Sequence, residues 1–195
     1  MMGKLKVYAD RMSQPSRAVL IFCRFNGIDF EEIKVDISKR HHLSPEFREV
    51  NPLQKVPAIV HGSFNLSESH AILVYLASAF PGIADHWYPS DLYRRAKIIS
   101  VMDWHHSNLR HGADLSMVCE LMQLEVLDEK DRSRILSPYK KVLQWIEDTR
   151  TATNPHFEEV HNILYRAKKK FEQQRSRVAE TGTEPSNKMG GHSKM

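Results

Sequence analysis

The chain has 195 residues, of which 41% are hydrophobic and 27% are charged, as in ordinary soluble globular proteins. It has no run of about 18 apolar residues and no N-terminal signal segment, so we expect an intracellular protein without a membrane partner. The net charge of +4 is concentrated near residues 166–177, and no nucleic-acid-binding motif accompanies it, so we expect no nucleic-acid partner.

The first 80 residues alternate between short apolar strands and helices. In chain order the patterns predict a strand at 4–9, a helix at 15–25, a strand at 30–37, a short helix at 44–51, strands at 55–60 and 64–67, and a helix at 67–80. In the second strand Ile33, Val35 and Ile37 are expected on one face. The order βαβ, small helix, ββα predicts a mixed four-stranded sheet with helices on its faces.

The rest of the chain is predicted to be helical, so the expected fold class is α/β plus all-α. We expect four units: a sheet domain at 1–81, a linker at 82–89, a helical domain at 90–178 and a disordered tail at 179–195. Amphipathic patterns place helices near 90–110, 114–127, 138–151 and 156–177. The tail has too few apolar side chains to offset the entropy lost on ordering.

The sequence does not indicate a disulfide or a metal site. Cys23 and Cys119 each lie inside an apolar helical pattern and are expected to be buried thiols. His105 and His106 are adjacent, so they would point to different sides of a helix and do not share a metal.

The turn that enters the first helix reads MSQPSRAV, residues 12–19, and contains two hydroxyls. Ser13 has a place before Pro15 that suits an N-cap residue, which would accept hydrogen bonds from free backbone N–H groups. Alternatively, its hydroxyl faces a ligand from the helix N-terminus. Ser16, after the proline, suits the body of the helix.

Three segments of the chain resemble the glutathione transferase family. MSQPSRAV resembles the theta-class active-site turn, NPLQKVPAIV resembles the loop that leads to a cis-proline strand, and LSESHAILVYL resembles the Glu-Ser glutathione clamp. Together with WYP and AKIISVMDWHHSNLR, they make the chain most similar to plant theta-class glutathione transferases over most of its length. The resemblance implies a thioredoxin-like N-terminal domain followed by a helical C-terminal domain.

The resemblance also implies a glutathione site. Ser13 is implied as the catalytic hydroxyl, because a donor directed at the sulfur favours the thiolate over the thiol. Glu68 would pair with the ammonium of glutathione, and the N–H and hydroxyl of Ser69 would bind the γ-glutamyl carboxylate. His42 and Lys55 would hold the glycyl carboxylate, and Val56 would pair its backbone with the tripeptide if the bond before Pro57 is cis. The full implied site is Ser13, Gln14, His42, Leu43, Lys55, Val56, Pro57, Glu68 and Ser69, with glutathione as co-substrate and no metal. Taken singly, these residues would also fit helix caps and surface charges.

One segment departs from the family. SNLRHG runs directly into ADLSMVCELMQL, whereas similar proteins place about two further helices between such segments. If the remaining helices close over the sheet domain, glutathione chemistry would persist. If they do not, apolar faces near 92–110 and 114–127 would be exposed.

The implied activity is conjugation of the glutathione thiolate to hydrophobic electrophiles, together with reduction of organic hydroperoxides. The alternative is a glutathione-binding isoform with weak or no catalysis, or an interaction module. A glutaredoxin-like oxidoreductase would instead need a cysteine at position 13. Similar proteins are dimers, so a homodimer is a further possibility.

The last three residues, Ser193, Lys194 and Met195, differ from the peroxisomal signal S-K-L only at the terminal apolar residue. We therefore expect recognition by the peroxisomal import receptor and a peroxisomal location. The cytoplasm and the nucleus, where related proteins occur, are the alternatives.

Overall fold

The computed structural model describes residues 3–108 and 114–181. Its strands are β1 (Leu5–Ala9), β2 (Phe30–Lys34), β3 (Ala58–His61) and β4 (Phe64–Ser67). Its helices are α1 (Gln14–Phe25), α2 (Pro45–Val50), α3 (Ser69–Ala79), α4 (Leu92–Asn108), α5 (Asp114–Leu121), α6 (Glu129–Leu136), α7 (Lys140–Thr153) and α8 (His156–Thr181). Short 3-10 turns lie at His41–Leu43, Asp85–Trp87 and Met122–Val126. Among these described residues, no helix is long and apolar enough to cross a membrane.

The four strands form one mixed sheet in the order β2-β1-β3-β4. Strand β1 runs parallel to β2 and antiparallel to β3, and β3 pairs antiparallel with β4. The predicted βαβ and ββα order and the mixed four-stranded sheet are therefore confirmed.

The two faces of the sheet are covered by different helices, because successive side chains of a strand point to opposite sides. On β1, Leu5 and Val7 belong to the large core shared with α1 and α3. Tyr8 points the other way and packs with Phe47 of α2 in a second, smaller cluster. Helix α1 thus lies inside the molecule, between the sheet and the later helices.

Two helices of the C-terminal half pack against α1. Val118 and Cys119 of α5, and Phe157 and Leu164 of α8, are fully buried in the large core. Burying one such side chain stabilises the fold by roughly 1.5–3 kcal/mol. Helices α5 and α8 are thereby held against α1.

Strand β2 is shorter than predicted. It ends at Lys34, and Ile37 is 39% exposed whereas Val35 is 4% exposed, so the prediction of a strand to residue 37 with Ile33, Val35 and Ile37 on one face is wrong. The reason lies in Asp10, whose carboxylate accepts a hydrogen bond from the Ile37 N–H at 2.9 Å. This bond turns the backbone away from the ladder and toward the end of β1.

Other boundaries differ locally from the sequence pattern. Helix α6 was not predicted, because its sequence EKDRSRIL buries only Leu136 and has no apolar periodicity. It begins at the Asp128 cap, whose side chain accepts a hydrogen bond from the Asp131 N–H at 2.8 Å. Helix α8 extends to Thr181 and includes residues 179–181 of the expected tail. The remainder of that tail, with Ser193–Met195, lies outside the described residues.

Candidate glutathione site

Every site residue implied by the sequence borders one cavity. The cavity has a volume of about 1510 Å³ and lies where the end of β1 and the start of β3 meet the starts of α1 and α3. Its lining includes Ser13, Gln14, His42, Leu43, Lys55, Val56, Pro57, Glu68 and Ser69. Residues that are up to 56 positions apart in sequence are therefore brought to a single opening.

The turn before α1 is held rigidly by backbone and side-chain hydrogen bonds. The Ser13 N–H donates to the Asp10 carbonyl at 2.9 Å, and the Met12 N–H donates to the Asp10 carboxylate at 2.9 Å. Asp10 is 7% exposed, so solvent competes little for these bonds. The position of Ser13 is consequently set by the end of β1.

Ser13 occupies the N-cap position of α1, but its hydroxyl does not cap the helix. Among the described residues, its side chain makes no capping hydrogen bond, whereas Ser44 caps α2 by accepting from the Phe47 N–H at 3.2 Å. Ser13 is instead one of the residues that border the cavity. Of the two interpretations of the turn, the geometry favours a hydroxyl available to a ligand.

The electrostatics of this position favour an anion. The N-terminus of a helix carries about half a positive charge, from N–H groups without intrahelical partners. Because Ser13 precedes the first turn of α1, an anionic atom beside its hydroxyl would also lie near those N–H groups. Ser16 is fully buried in the helix, as the sequence predicted.

Glu68 and Ser69 form the start of α3 on the same cavity. Glu68 has a φ of 69° and a ψ of 113°, a backbone conformation that non-glycine residues adopt at a cost of about 1–3 kcal/mol. Its side chain is exposed and, within the described part of the chain, does not cap the helix. Ser69 follows as the first helical residue, so its N–H is one of the free donors of α3.

The segment between α2 and β3 presents backbone groups to the cavity. Asn51 is 2% exposed, and its amide nitrogen donates to the Lys55 carbonyl at 2.7 Å while its amide oxygen accepts from the Leu53 N–H at 3.1 Å. The bond between Val56 and Pro57 is cis, which is the condition set above for pairing of the Val56 backbone with a tripeptide. Asn51 thereby fixes the backbone of this segment. The side chain of Lys55 remains exposed at the rim of the cavity.

His42 lies in the 3-10 turn that precedes α2. Its Nδ1 atom is buried, and no described residue accepts or donates a hydrogen bond there. An unsatisfied buried nitrogen costs about 1–3 kcal/mol, so a polar ligand at this atom would relieve a penalty. Leu43, 41% exposed, adds an apolar surface beside it.

The helical part of the chain supplies the opposite wall. Ile99, Met102 and Asp103 of α4 border the cavity, together with Glu120 of α5 and Ile163 of α8. This wall combines apolar side chains with two carboxylates, a mixture common in pockets for small molecules. Sequence periodicity placed these residues on helices, but only the tertiary packing shows that they reach the cavity.

Sequence reasoning missed three residues that organise the site, namely Asp10, Arg17 and Asn51. Arg17 gave the clearest signal, because it is a charged residue next to the apolar run AVLIF. It is fully buried, and this burial lowers the pKa of its guanidinium. An asparagine or aspartate in a turn is too common to be singled out.

The two cysteines are buried and free, as predicted. Desolvation raises the pKa of Cys23 and of Cys119 to about 12, so both are thiols at neutral pH and neither is a nucleophile of the site. Within residues 3–108 and 114–181, no three His, Cys, Asp or Glu side chains form a group that could hold a metal ion. The side chains of His105 and His106 lie outside the described residues.

Comparisons with known proteins agree with this geometry. The family model described as "Glutathione S-transferase, N-terminal domain" matches residues 3–78, which contain all nine implied site residues. The fold therefore defines a thioredoxin-like domain of the glutathione S-transferase type with an attached helical region.

Relatives narrow this class further. The chain is 51% identical to Arabidopsis thaliana glutathione S-transferase T1, with 89% of this chain and 94% of the relative covered. It is 49% identical to Arabidopsis glutathione S-transferase T2, with 95% of this chain but only 41% of that longer protein covered. The human theta-2 enzyme, solved in complex with glutathione and an unknown ligand, is 28% identical, with a TM-score of 0.76, and the match covers 89% of this chain and 91% of that one. The chain belongs to the glutathione S-transferase family and is a plant theta-class member.

The comparison also shows that this chain is shorter than its relative. The alignment with T1 extends over 231 positions, more than the 195 residues of the chain, so part of the relative has no counterpart here. The junction where the sequence pattern places the missing block includes residues 109–113, which lie outside the described residues.

Proposed function

We propose that this glutathione transferase binds glutathione in the cavity beside Ser13, conjugates its thiolate to hydrophobic electrophiles and reduces organic hydroperoxides. The observation that carries the proposal is Ser13, which borders the cavity at the N-terminus of α1 and whose hydroxyl is unused as a helix cap.

Ser13 activates the thiol by stabilising its conjugate base. A free thiol of this kind has a pKa near 8.5, so only a few per cent is thiolate at pH 7. The hydroxyl donates a hydrogen bond that is strongest toward the sulfur anion, and the dipole of α1 acts in the same direction. Both effects lower the thiol pKa and increase the fraction of the reactive nucleophile.

The remaining residues of the site match the charges of glutathione. The Glu68 carboxylate pairs with the ammonium, and the Ser69 N–H and hydroxyl receive the γ-glutamyl carboxylate at the start of α3. The glycyl carboxylate is received by Lys55 and by the buried nitrogen of His42. The backbone of Val56 pairs with the tripeptide as an added strand, and Gln14, Leu43 and Pro57 complete the contact surface.

Two reactions follow from one thiolate. With an electrophile, the sulfur forms a bond to carbon and the leaving group departs with the electron pair. With a hydroperoxide, the sulfur attacks one oxygen, the O–O bond breaks, and the alkoxide takes a proton to become an alcohol. The resulting sulfenic acid condenses with a second glutathione to give the disulfide and water. The apolar wall formed by Ile99, Met102 and Ile163 favours a hydrophobic second substrate.

The test uses the full chain, purified as a single species. Glutathione binding is measured by calorimetric titration, and turnover is measured with an aromatic halide and with an organic hydroperoxide. Saturable binding with turnover of the aromatic halide supports transferase chemistry. Saturable binding with turnover of the hydroperoxide supports peroxidase chemistry. Binding without either turnover would overturn the catalytic proposal and leave the alternative, a glutathione-binding isoform or interaction module. Absence of binding would overturn the assignment of the site.

We also propose that the terminal Ser193-Lys194-Met195 directs the chain to peroxisomes through the import receptor, with the cytoplasm and nucleus as alternative locations. Hydroperoxide reduction would suit that location. A fluorescent protein fused to the N-terminus of the chain should colocalise with a peroxisomal marker, and deletion of the three residues should disperse it. The same distribution before and after deletion would contradict the signal.

A homodimer is a further proposal, supported by α4. Leu92 and Tyr93 at its start are 71% and 83% exposed, and Val101 is 49% exposed. Apolar side chains of this size are commonly covered by a partner. Sedimentation of the natural chain and of Tyr93→Lys should show a dimer for the first and a monomer for the second, and two monomers would refute the proposal.

A further inference from the structure

Arg17 is a buried cation in the second turn of α1. It is fully buried, with 0% of its surface exposed. Its two terminal nitrogens make four hydrogen bonds to neutral oxygens, so hydrogen bonds to carboxylates do not explain its presence. Burying a charge without a hydrogen-bonded carboxylate partner costs free energy. We therefore ask what the four hydrogen bonds of Arg17 hold in place.

One side of the guanidinium holds the turn that precedes Ser13. Nη1 donates to the Arg11 carbonyl at 2.9 Å and to the Met12 carbonyl at 3.0 Å. These two peptide groups lead directly into Ser13, whose own N–H is bonded to Asp10. A movement of the guanidinium would therefore move the backbone from which the Ser13 hydroxyl extends.

The other side of the guanidinium holds the end of α5. Nη2 donates to the Cys119 carbonyl and to the Gln123 side-chain oxygen, both at 2.9 Å. The carbonyl lies in the last turn of α5, where a cation is favoured by the helix dipole. These contacts join positions 102 and 106 residues apart in sequence. One side chain thus connects the Ser13 turn to the helical wall of the cavity, to which Glu120 belongs.

We propose that Arg17 is a positioning residue for the Ser13 hydroxyl, and that the docking of α5 sets the direction of that hydroxyl through the Arg17 bridge. The proposal rests on the function proposed for Ser13. Displacing a catalytic group by about 1 Å can cost roughly 100-fold in rate. Loss of the four hydrogen bonds that hold this backbone should therefore lower the rate measurably. The bridge also explains how the region that is shortened relative to T1 remains coupled to the thiol.

Arg24 provides a matched control. It lies on the same helix and joins distant elements, because its guanidinium pairs with Glu32 of β2 at 3.0 Å and with Glu159 of α8 at 2.5 Å. In contrast to Arg17, the bonds that the structure describes for Arg24 do not include the carbonyls of residues 11 and 12. Glu32 also accepts two hydrogen bonds from the Arg11 side chain, and these remain when Arg24 is replaced. Loss of Arg24 therefore weakens packing between the two halves, while Arg17 keeps its bonds to the Arg11 and Met12 carbonyls.

The experiment follows the thiol of bound glutathione directly. The ultraviolet absorbance of the thiolate is titrated against pH in the glutathione complexes of the natural chain, Arg17→Met, Gln123→Leu and Arg24→Met. Arg17→Met should raise the thiol pKa by about one unit, which is tenfold less thiolate at pH values well below the thiol pKa, while glutathione Kd changes less than about threefold. Gln123→Leu, which leaves the cation in place, should give a smaller rise in the same direction. Arg24→Met should leave the thiol pKa unchanged, and Gln123→Glu, which keeps an acceptor for Nη2, should behave as the natural chain.

The outcomes separate this inference from the proposed function. A thiol pKa that rises in Ser13→Ala but stays constant in Arg17→Met and Gln123→Leu would overturn the positioning role and leave the role of Ser13 intact. Equal rises in Gln123→Leu and Arg24→Met would reduce the effect to general packing and also overturn it. If Arg17→Met does not fold, Gln123→Leu against Gln123→Glu decides. A natural chain that does not lower the thiol pKa would overturn both proposals.

Discussion

The sheet region and the helical region differ in how completely their apolar side chains are covered. In the sheet region, β1, β3, α1 and α3 all contribute side chains with almost no exposed surface. In the helical region, α5 and α8 are covered by α1, whereas α4 buries Met102 but leaves Leu92, Tyr93, Ile99 and Val101 at least 40% exposed. The sheet region is therefore built around a continuous core, and the helical region has one helix with an uncovered apolar surface.

This difference answers the question of whether the remaining helices close over the sheet domain. The 114–127 segment packs against the sheet domain, because Val118, Cys119 and Met122 are buried against α1. The 92–108 segment borders the cavity through Ile99 and Met102 but stays open on its other side. The shortened helical region thus still walls the cavity, while the outer side of α4 is open.

The largest effect is expected at Ser13, in the sheet region with its continuous core. Ser13→Ala should lower kcat by about 100-fold to 1000-fold, as loss of one preorganised donor does, with little change in glutathione Kd. Steady-state kinetics and calorimetry measure the two quantities. Ser16→Ala removes a buried hydroxyl three residues away and should keep kcat within about twofold. Equal losses of kcat and affinity in Ser13→Ala would contradict its role in thiol activation.

The next effect compares the two surfaces of the helical region. Leu164→Ala removes a fully buried side chain between α8 and α1 and should lower the free energy of unfolding by about 2–5 kcal/mol. Val101→Ala, on the open side of α4, should change it by less than about 0.5 kcal/mol in the monomer. Chemical denaturation at two protein concentrations measures both. A large effect of Val101→Ala that grows with concentration would show that a second copy covers α4.

A third prediction concerns pH and the α8 contact. His161 is fully buried, its Nδ1 lies 2.8 Å from the Phe157 carbonyl, and burial lowers its pKa to about 3. Because the folded-state pKa is below the unfolded value near 6.5, the unfolded state binds the proton first as pH falls. Stability should therefore drop by about 2 kcal/mol between pH 7 and pH 5, above the range in which carboxylates titrate.

The control for this prediction is His161→Gln, which is neutral throughout that range. Its free energy of unfolding should be lower at pH 7 but should vary little from pH 7 to pH 5. An unchanged pH slope in this variant would assign the acid sensitivity to other groups.

The smallest effect is expected at the rim of the site. Glu68→Ala should raise glutathione Kd by about 3-fold to 10-fold and leave kcat nearly unchanged, since an exposed ion pair contributes about 1 kcal/mol. Glu49→Ala removes an exposed carboxylate outside the cavity lining and should bind glutathione as the natural chain does. A similar change of Kd in both variants would indicate a general charge effect and not a pairing at Glu68.

The sequence by itself determined the order of the elements around the site. Local signals sufficed there: alternating apolar residues in β1, proline and hydroxyl residues at the starts of α1 and α2, and the Glu68-Ser69 pair before an apolar helix. These features act over a few residues, so they can be recognised without knowing what packs against them. Helix α6 was not predicted, because a polar helix on the surface has no such apolar signal.

Only the tertiary structure decided which distant groups meet. Asp10 ends β2 early by binding the Ile37 N–H, and Arg17 reaches Cys119 and Gln123 more than 100 residues away. It also decided that α5 is covered and α4 is open, although both have amphipathic patterns. The physical reason is that hydrogen-bond partners and buried surface depend on neighbours brought together by folding. A local sequence pattern shows only that a residue requires a partner or a covering surface, and it does not show which residue supplies it.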